Sequence, residues 1–204
     1  MSRDELVANS TVLIMAGSET TASLLCGMTY LLARNQPVLR RLAEEKLSYL
    51  QAVIEESLRY FPPAVGALPR VIAPGDDHIV DRYVPEGTVV EVWQWILYHN
   101  PAYYHKPDEF RPERWLGYAK FQDDALAGVT PFMVGPRNCI GKNLVHAEMR
   151  LILSRLVWNF DFALAPGMED WYERCGAYTV WEKPALNISF VPRSTKGSFK
   201  DAAT

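Results

Sequence analysis

The residues with the clearest chemical potential lie in one short loop, "PFMVGPRNCIGKN", at residues 131–143. A single cysteine, Cys139, stands between Gly135 and Gly141, directly ahead of an apolar-periodic run that predicts a helix. At a helix N-terminus, free N–H groups and the positive end of the dipole favour a thiolate over a thiol. The glycines allow a flat, bulky partner to come close, and Arg137 could pair with an anionic group on that partner. The pattern predicts that Cys139 is a ligand or a nucleophile.

Two other interpretations of Cys139 stay open at the level of sequence. A lone cysteine is most often packed in a core as a small hydrophobic residue. Alternatively, Cys139 could be the nucleophile of a hydrolase with His146 as its base. Because His146 follows about two turns along the same predicted helix, we expect the two side chains not to reach each other.

A second unusual segment, "GSETT" at residues 17–21, lies halfway along the first predicted helix. Glycine costs about 1 kcal/mol in a helix interior, and hydroxyl side chains compete there for the backbone carbonyls. Such a segment is typical of a bulge with another group lying against it. The alternative is a close helix crossing at Gly17, with the threonine hydroxyls bonded back to their own turn.

A third candidate is the pair Glu56 and Arg59, spaced i, i+3 on a predicted helix. Pairs at this spacing are usually solvated and stabilise a helix by about 0.2 to 0.5 kcal/mol. Glu55 could pair with the arginine equally well. The spacing alone therefore indicates no function.

Local signals indicate the helices that must position these residues. Ser2 and Glu5 match a capping box, and the first helix is predicted to run to Arg34. Pro37 suits the first turn of a short second helix. A third helix is predicted over residues 47–61, before a Pro-Pro pair.

The rest of the chain predicts a smaller amount of β-structure and one more long helix. Residues 64–92 contain short β-branched runs separated by turn sequences, which predicts a small sheet. A proline-rich coil follows, residues 144–160 predict a long helix, and residues 185–191 alternate like an edge strand. We therefore expect a mainly α fold with a small β region, as one unit over residues 1–193, and a solvated tail at residues 194–204.

Composition argues against several classes of protein. The 204 residues carry a net charge of -3 and are 49% hydrophobic, which is typical of a folded globular protein and gives no indication of nucleic-acid binding. Three cysteines without a CxxC pair argue against a disulfide framework or a structural zinc site, and favour a reducing compartment. No signal peptide is visible. The apolar run at residues 12–33 could span a bilayer, but Glu19 near its middle favours a buried helix of a soluble domain.

Together the three segments resemble the cytochrome P450 family of haem-thiolate monooxygenases, over nearly the whole chain. The family's FxxGxRxCxG loop is matched at every stated position, by Phe132, Gly135, Arg137, Cys139 and Gly141. The resemblance implies that Cys139 is the axial thiolate ligand of haem b, iron protoporphyrin IX. It also implies that Arg70 and Arg137 face the haem propionates.

The segment "AGSETT", residues 16–21, is similar to the oxygen-activating part of the family's long central helix. In that comparison Gly17 leaves room for dioxygen, Thr20 takes part in oxygen activation, and Glu19 helps to relay protons from water. These roles would account for the poor helix chemistry of the segment.

Glu56 and Arg59 resemble the family's ExxR pair, and Arg114 in "PERW" would complete a structural triad. The implied fold is the C-terminal, haem-side half of the cytochrome P450 fold. The implied activity is hydroxylation of a small lipophilic substrate with O₂ and electrons from an NAD(P)H reductase. The sequence around Cys139 is similar to that of fungal members that work in secondary metabolism.

The resemblance also predicts what the chain lacks. It begins where the family's central helix begins, so we expect the front half to be absent, with its endoplasmic-reticulum membrane anchor and most substrate-contacting segments. The connection between the second and third helices is shorter than the family norm. We expect an intracellular protein with exposed apolar surface, which invites association. The alternative function is a non-catalytic fragment, or a haem-binding or interaction module without turnover.

Overall fold

The computed structural model describes residues 1–45 and 47–193 of the chain. The α-helices in these residues are α1 (Arg3–Arg34), α2 (Gln36–Glu44), α3 (Leu47–Tyr60), α4 (Gln94–Tyr98) and α5 (Lys142–Asn159). They account for most of the regular structure, so the prediction of a mainly α fold is confirmed. The predicted tail at residues 194–204 lies outside the described residues.

The strands in the described residues are short and pair in antiparallel ladders of two. The first two ladders join β1 (Arg70–Val71) to β4 (Val89–Val90) and β2 (Asp77–Ile79) to β3 (Arg82–Val84). The other two join β5 (Phe160–Leu164) to β8 (Ile188–Pro192) and β6 (Gly176–Ala177) to β7 (Trp181–Glu182). The predicted strand near the C-terminus is thus β8. The predicted small sheet is instead two separate ladders, because the β2–β3 hairpin closes on itself between β1 and β4.

Helix α1 begins at the capping box that the sequence predicts. The N–H of Glu5 donates to the Ser2 hydroxyl at 3.2 Å, and the N–H of Ser2 donates to the Glu5 carboxylate at 2.6 Å. The helix ends at Arg34, with Asn35 as its C-cap. Two reciprocal bonds at the first turn satisfy N–H groups that a helix start otherwise leaves without partners.

The "GSETT" segment is regular α-helix, which corrects the expectation of a bulge. The Thr20 hydroxyl donates to the carbonyl of Ala16 at 2.6 Å, so it is bonded back to its own turn. A Cβ at Gly17 would meet no heavy atom within 4 Å, so no other helix of the described residues crosses there. The close approach lies at Gly27 instead, where a Cβ would come within 2.4 Å of a ring carbon of Phe61.

The two halves of α1 differ in burial. The buried residues of the helix all lie between Thr21 and Ala33, and the residues from 3 to 19 are exposed. The prediction of a buried helix therefore holds only for the second half, which packs against α2, α3, α5 and β5. By length and composition alone, α1 is also long and apolar enough to cross a membrane.

One apolar core joins the helices to the ladders near the C-terminus. Its fully buried members include Leu24, Met28 and Leu32 of α1, Val53, Ile54 and Leu58 of α3, and Met149 of α5. Phe61, at the end of α3, stacks on Trp181 of β7 with ring centroids 4.4 Å apart. The Trp181 indole N–H donates to the Pro62 carbonyl at 2.7 Å. These contacts fix the β6–β7 ladder against the end of α3.

Candidate functional site

Cys139 lies in the loop before α5, residues 131–141, here called the Cys139 loop, and its side chain is exposed. Its N–H donates to the Phe132 carbonyl at 2.9 Å, which closes the loop on itself. The N–H of Lys142, the first residue of α5, donates to the Cys139 carbonyl at 3.4 Å. The thiol therefore stands at the helix entrance and faces solvent, and its interpretation as a packed core residue is wrong.

The shape of the Cys139 loop depends on backbone conformations that favour glycine. Gly135 has a φ of 82° and Met133 a φ of 60°, both in the left-handed region. A Cβ at Gly135 would meet no heavy atom within 4 Å, and a Cβ at Gly141 would lie 3.8 Å from the Cys139 sulfur. A side chain at Gly141 would therefore lie beside the Cys139 sulfur, whereas at Gly135 the positive φ, rather than a lack of space, favours glycine.

Phe132 anchors the Cys139 loop to α5 and to the core. Its ring is half-buried against the core and lies 5.2 Å from the ring of His146, measured between centroids. His146 Nδ1 is buried without a hydrogen-bond partner among the described residues, and burial lowers the pKa of this ring. Within the described part of the chain no hydrogen bond joins His146 to Cys139, as expected, so a Cys–His catalytic pair is not formed.

Arg70 and Arg137, the two arginines expected to face the propionates, have no carboxylate partner among the described residues. Arg137 is exposed within the loop. Arg70 donates to two backbone carbonyls of its own segment, at 3.0 and 3.2 Å. Arg70 also lines a cavity of about 720 Å³ together with Thr130 and Met133. Arg70 and the start of the Cys139 loop therefore line the same cavity.

Glu56 and Arg59 of α3 are completely buried. The Arg59 guanidinium donates to both carboxylate oxygens of Glu56, at 2.8 and 2.9 Å. The same carboxylate accepts from the Trp115 indole and from the N–H of Arg111, each at 2.9 Å. Arg114 Nε lies 3.4 Å from Glu56, at ion-pair distance rather than as a hydrogen bond. The structure thus brings Glu56, Arg59 and Arg114 together in the core, and the interpretation of a solvated pair is wrong.

This cluster ties the long coil after α4 to α3. Arg59 also donates to the Tyr98 carbonyl at 2.7 Å, at the end of α4, and Arg114 forms an ion pair with Asp124. Sequence reasoning missed two members of the cluster, Trp115 and Asp124. Trp115 directly follows Arg114 in "PERW", which is a local signal, whereas no local feature marks Asp124.

The residues expected to handle oxygen lie on α1, and one of them, Glu19, has a partner from a distant segment. The Glu19 carboxylate accepts from Lys183 at 2.7 Å and from Ser23 at 3.1 Å. The hydrogen bond from Lys183 is the main cause that holds the pKa of Glu19 below its usual value. Sequence reasoning missed Lys183, since it lies 164 residues further along the chain. Among the described residues no hydrogen bond or ion pair joins Gly17, Glu19 or Thr20 to the Cys139 loop.

The donor set fits haem rather than a centre with several protein ligands. In the described ranges, no group of three or more His, Cys, Asp and Glu side chains could hold a metal ion together. Haem iron can be held by a single axial ligand from the protein, and a solvent-facing thiol at a helix entrance supplies one. Two arginines near the same loop match the carboxylates at the edge of a haem. The residues present therefore fit a haem-thiolate site.

Comparisons with known proteins give the same family. A family model described as "Cytochrome P450" matches residues 1–189. The chain is 44% identical over 211 residues to the trichothecene C-15 hydroxylase of Fusarium sporotrichioides, across 95% of this chain and 43% of that protein. It is 41% identical over 218 residues to the averantin hydroxylase of Dothistroma septosporum, across 97% of this chain and 42% of that protein. The chain thus spans less than half the length of these relatives.

Proposed function

The chain belongs to the cytochrome P450 family, and we propose that residues 1–193 form the haem-side half of a monooxygenase that hydroxylates a small lipophilic substrate. The observation that carries the proposal is the solvent-facing thiol of Cys139 at the entrance to α5. Two fungal relatives are named as hydroxylases, which supports the reaction class and a place in secondary metabolism.

In this proposal the Cys139 loop holds haem b. The Cys139 sulfur would be the axial ligand, and the remaining contacts would come from Phe132, Gly135, Arg137, Gly141 and Arg70. When bound, haem supplies the oxidation chemistry, and a thiolate ligand favours O–O cleavage. Arg70 and Arg137 would pair with the propionates as charge-assisted donors. The glycines would keep the loop free of side chains beneath a flat ring.

The proposed work of α1 is proton handling. Glu19 is ion-paired with Lys183 and stands next to Thr20 in the chain, so carboxylate and hydroxyl could accept protons from water and pass them on. The Thr20 proton is donated to Ala16, which leaves the hydroxyl oxygen as an acceptor. Gly17 adds open space on the same turn, since a Cβ there would meet nothing within 4 Å.

A spectrum tests the proposal. Under carbon monoxide the reduced protein should show the red-shifted Soret band of thiolate-ligated haem, and Cys139→Ser should lose this band. Cys175→Ser is the matched control, because a hydroxyl can keep the hydrogen bond that the Cys175 thiol makes to the Trp171 carbonyl. A band that persists in Cys139→Ser, or that Cys175→Ser removes, would show that the ligand is not Cys139.

We also propose that the electrons come from a separate NAD(P)H-dependent reductase and that the whole protein works inside the cell at the endoplasmic-reticulum membrane. Family membership supports both statements. Substrate oxidation should require the reductase together with its nicotinamide cofactor. Product formed at the same rate without the reductase would contradict the proposed electron donor.

A second candidate function is a haem-binding or interaction module without turnover. Large apolar side chains are exposed on the first half of α1 and in the Cys139 loop, where Val134 is 73% and Ile140 92% exposed. Such a surface favours association, so we expect the chain alone to bind haem substoichiometrically and to associate. Size-exclusion chromatography with haem quantification checks this. Stoichiometric haem in a monodisperse sample, with product formed in the presence of reductase, would favour the monooxygenase instead.

A further inference from the structure

Lys183 lies directly after β7 and reaches across to α1, where its ammonium group meets three acceptors. Nζ lies 2.7 Å from Glu19 Oε1, 2.7 Å from Ser23 Oγ and 3.1 Å from the Trp181 carbonyl oxygen. An ammonium group has three N–H donors, so these contacts fill its hydrogen-bonding capacity. The Lys183 side chain is 18% exposed and that of Glu19 51% exposed, so a mostly buried lysine holds a half-exposed carboxylate.

Ser23 closes this contact into a triangle. Its hydroxyl accepts a hydrogen bond from Lys183. It also donates, at 3.1 Å, to Oε1 of Glu19, which lies one turn earlier on α1. Ser23 is completely buried, so the inner corner of the triangle is fixed. Glu19 Oε2 has no hydrogen-bond partner in the described structure. One carboxylate oxygen is therefore held and the other is open to water.

Packing fixes the backbone that carries Lys183. Trp181, two residues earlier, is 6% exposed and stacks on Phe61 with the rings inclined by 14°. Phe61 in turn lies directly against Gly27 of α1. The chain segment that carries Lys183 is thus packed, through Phe61, on the helix that carries Glu19. Backbone packing as well as side-chain conformation therefore sets the distance between Lys183 and Glu19.

Two thiols near Lys183 stay neutral. Cys26 of α1 and the Cys175 thiol before β6 both feel its positive charge. Burial is the larger effect and raises the pKa of both thiols, that of Cys175 to about 11. Glu19 is therefore the anion that balances Lys183 at neutral pH, and the hydrogen bond from Lys183 lowers the pKa of this carboxyl.

We propose that Lys183 is a positioning residue for Glu19: it holds Oε1 toward the β6–β7 ladder and leaves Oε2 to exchange protons with water. The inference rests on the proposed function only where it gives Glu19 a proton-relaying role. The contact itself needs no haem. Through it the β6–β7 ladder fixes the orientation of a carboxylate on the α1 turn that carries Gly17 and Thr20.

A carboxyl-carbon NMR titration of the chain labelled with ¹³C-glutamate tests the contact. In Lys183→Met the Glu19 midpoint should move upward toward that of a free glutamate. In Lys183→Arg it should stay low, because a guanidinium can donate to the same oxygens. Lys106→Met is the matched control, since Lys106 pairs with Glu109 at 2.8 Å, and it should leave the Glu19 midpoint unchanged. An unchanged midpoint in Lys183→Met, or an equal rise in Lys106→Met, would overturn the proposal.

A second variant covers the case in which Lys183→Met does not fold. Ser23→Ala removes one corner of the triangle and keeps the lysine, so the Glu19 midpoint should rise by less than in a variant without the cation. If Ser23→Ala folds and the Glu19 midpoint equals that of wild type, the triangle does not set the state of Glu19 and the proposal is overturned.

Reconstituted enzyme separates this inference from the proposed function. Lys183→Met should release more hydrogen peroxide per NAD(P)H consumed than wild type, with an unchanged carbon-monoxide spectrum, and Lys183→Arg should restore coupling. The titration needs no haem, so a rise in midpoint without any haem-thiolate spectrum would refute the proposed function and support the contact. A wild-type midpoint in Lys183→Met would refute the contact whatever the spectrum shows.

Discussion

The Glu56 carboxylate and the Arg59 guanidinium form a bidentate pair, at 2.8 and 2.9 Å, in which neither side chain is accessible to solvent. Burying two charges has a large desolvation cost, which only close geometry and further hydrogen bonds offset. Here the Trp115 indole and the N–H of Arg111 supply those bonds to Glu56. The pair therefore depends on the coil after α4 as much as on α3.

Arg59→Ala should destabilise the chain by about 3 to 5 kcal/mol, because it leaves the Glu56 carboxylate buried without its cation. Urea denaturation followed by circular dichroism measures this loss. Glu55→Ala is the control on the same helix: Glu55 is half-buried and bonds to Gln51, so its loss should cost less than about 1 kcal/mol. An Arg59→Ala protein as stable as Glu55→Ala would contradict the burial of the pair.

Two glycines of α1 should respond in opposite directions to the same substitution. Gly27→Ala should destabilise by about 1 to 3 kcal/mol, because the new Cβ would come within 2.4 Å of the Phe61 ring. Gly17→Ala should stabilise by about 0.5 to 1 kcal/mol, because that Cβ meets no neighbour and alanine favours helix. Denaturation midpoints of both variants check the contrast. Similar effects at the two sites would contradict the packing of α1.

His99 should make stability depend on pH in mildly acidic solution. Its ring stacks on Trp95 at 4.5 Å, and its Nδ1–H donates to the Trp95 carbonyl at 2.9 Å. Burial is the main cause that lowers the pKa of His99 to about 4, against about 6.5 in the unfolded chain. As pH falls through this window the unfolded state binds the proton first. The free energy of unfolding should therefore fall from about pH 6.5 to about pH 4, by at most about 3 kcal/mol from this group.

The contribution of His99 can be isolated by substitution. His99→Asn keeps a donor for the Trp95 carbonyl but does not titrate, so its free energy of unfolding should depend less on pH between about 6.5 and 4 than that of wild type. His78→Asn, on the exposed strand β2, is the control and should keep the wild-type dependence. Urea denaturation at a series of pH values compares the three proteins. Parallel curves for wild type and His99→Asn would show that His99 does not carry the effect.

Thr20→Ala should uncouple the proposed enzyme while haem binding survives. Loss of the hydroxyl removes a group that accepts protons next to Glu19, so reducing equivalents should go to hydrogen peroxide instead of product. Thr11→Ala is the matched control. Like the Thr20 hydroxyl, the Thr11 hydroxyl donates to the carbonyl four residues earlier, here that of Val7 at 2.9 Å. The measurement is the ratio of peroxide to product per NAD(P)H consumed. Equal ratios in the two variants would show that Thr20 is not part of the proton path.

The sequence by itself determined the features that depend on near neighbours in the chain. The capping box at Ser2 and Glu5 and the helix predicted over residues 47–61 appear in the structure almost at their expected bounds. Cys139 likewise stands at the entrance to α5, as the pattern around it indicates. Caps and helix periodicity act within about four residues, so a short window of sequence contains all the groups that decide them.

Only the tertiary structure decided which of these features are buried and what they contact. The partners of Glu56 lie up to 59 residues away in the chain, and Lys183 lies 164 residues from Glu19. The same helix α1 is exposed before Glu19 and buried from Thr21, although its apolar pattern continues through both halves. Burial is the sum of contacts with segments distant in sequence. The same local spacing fits a solvated ion pair and a buried one equally well, and only the surrounding fold distinguishes them.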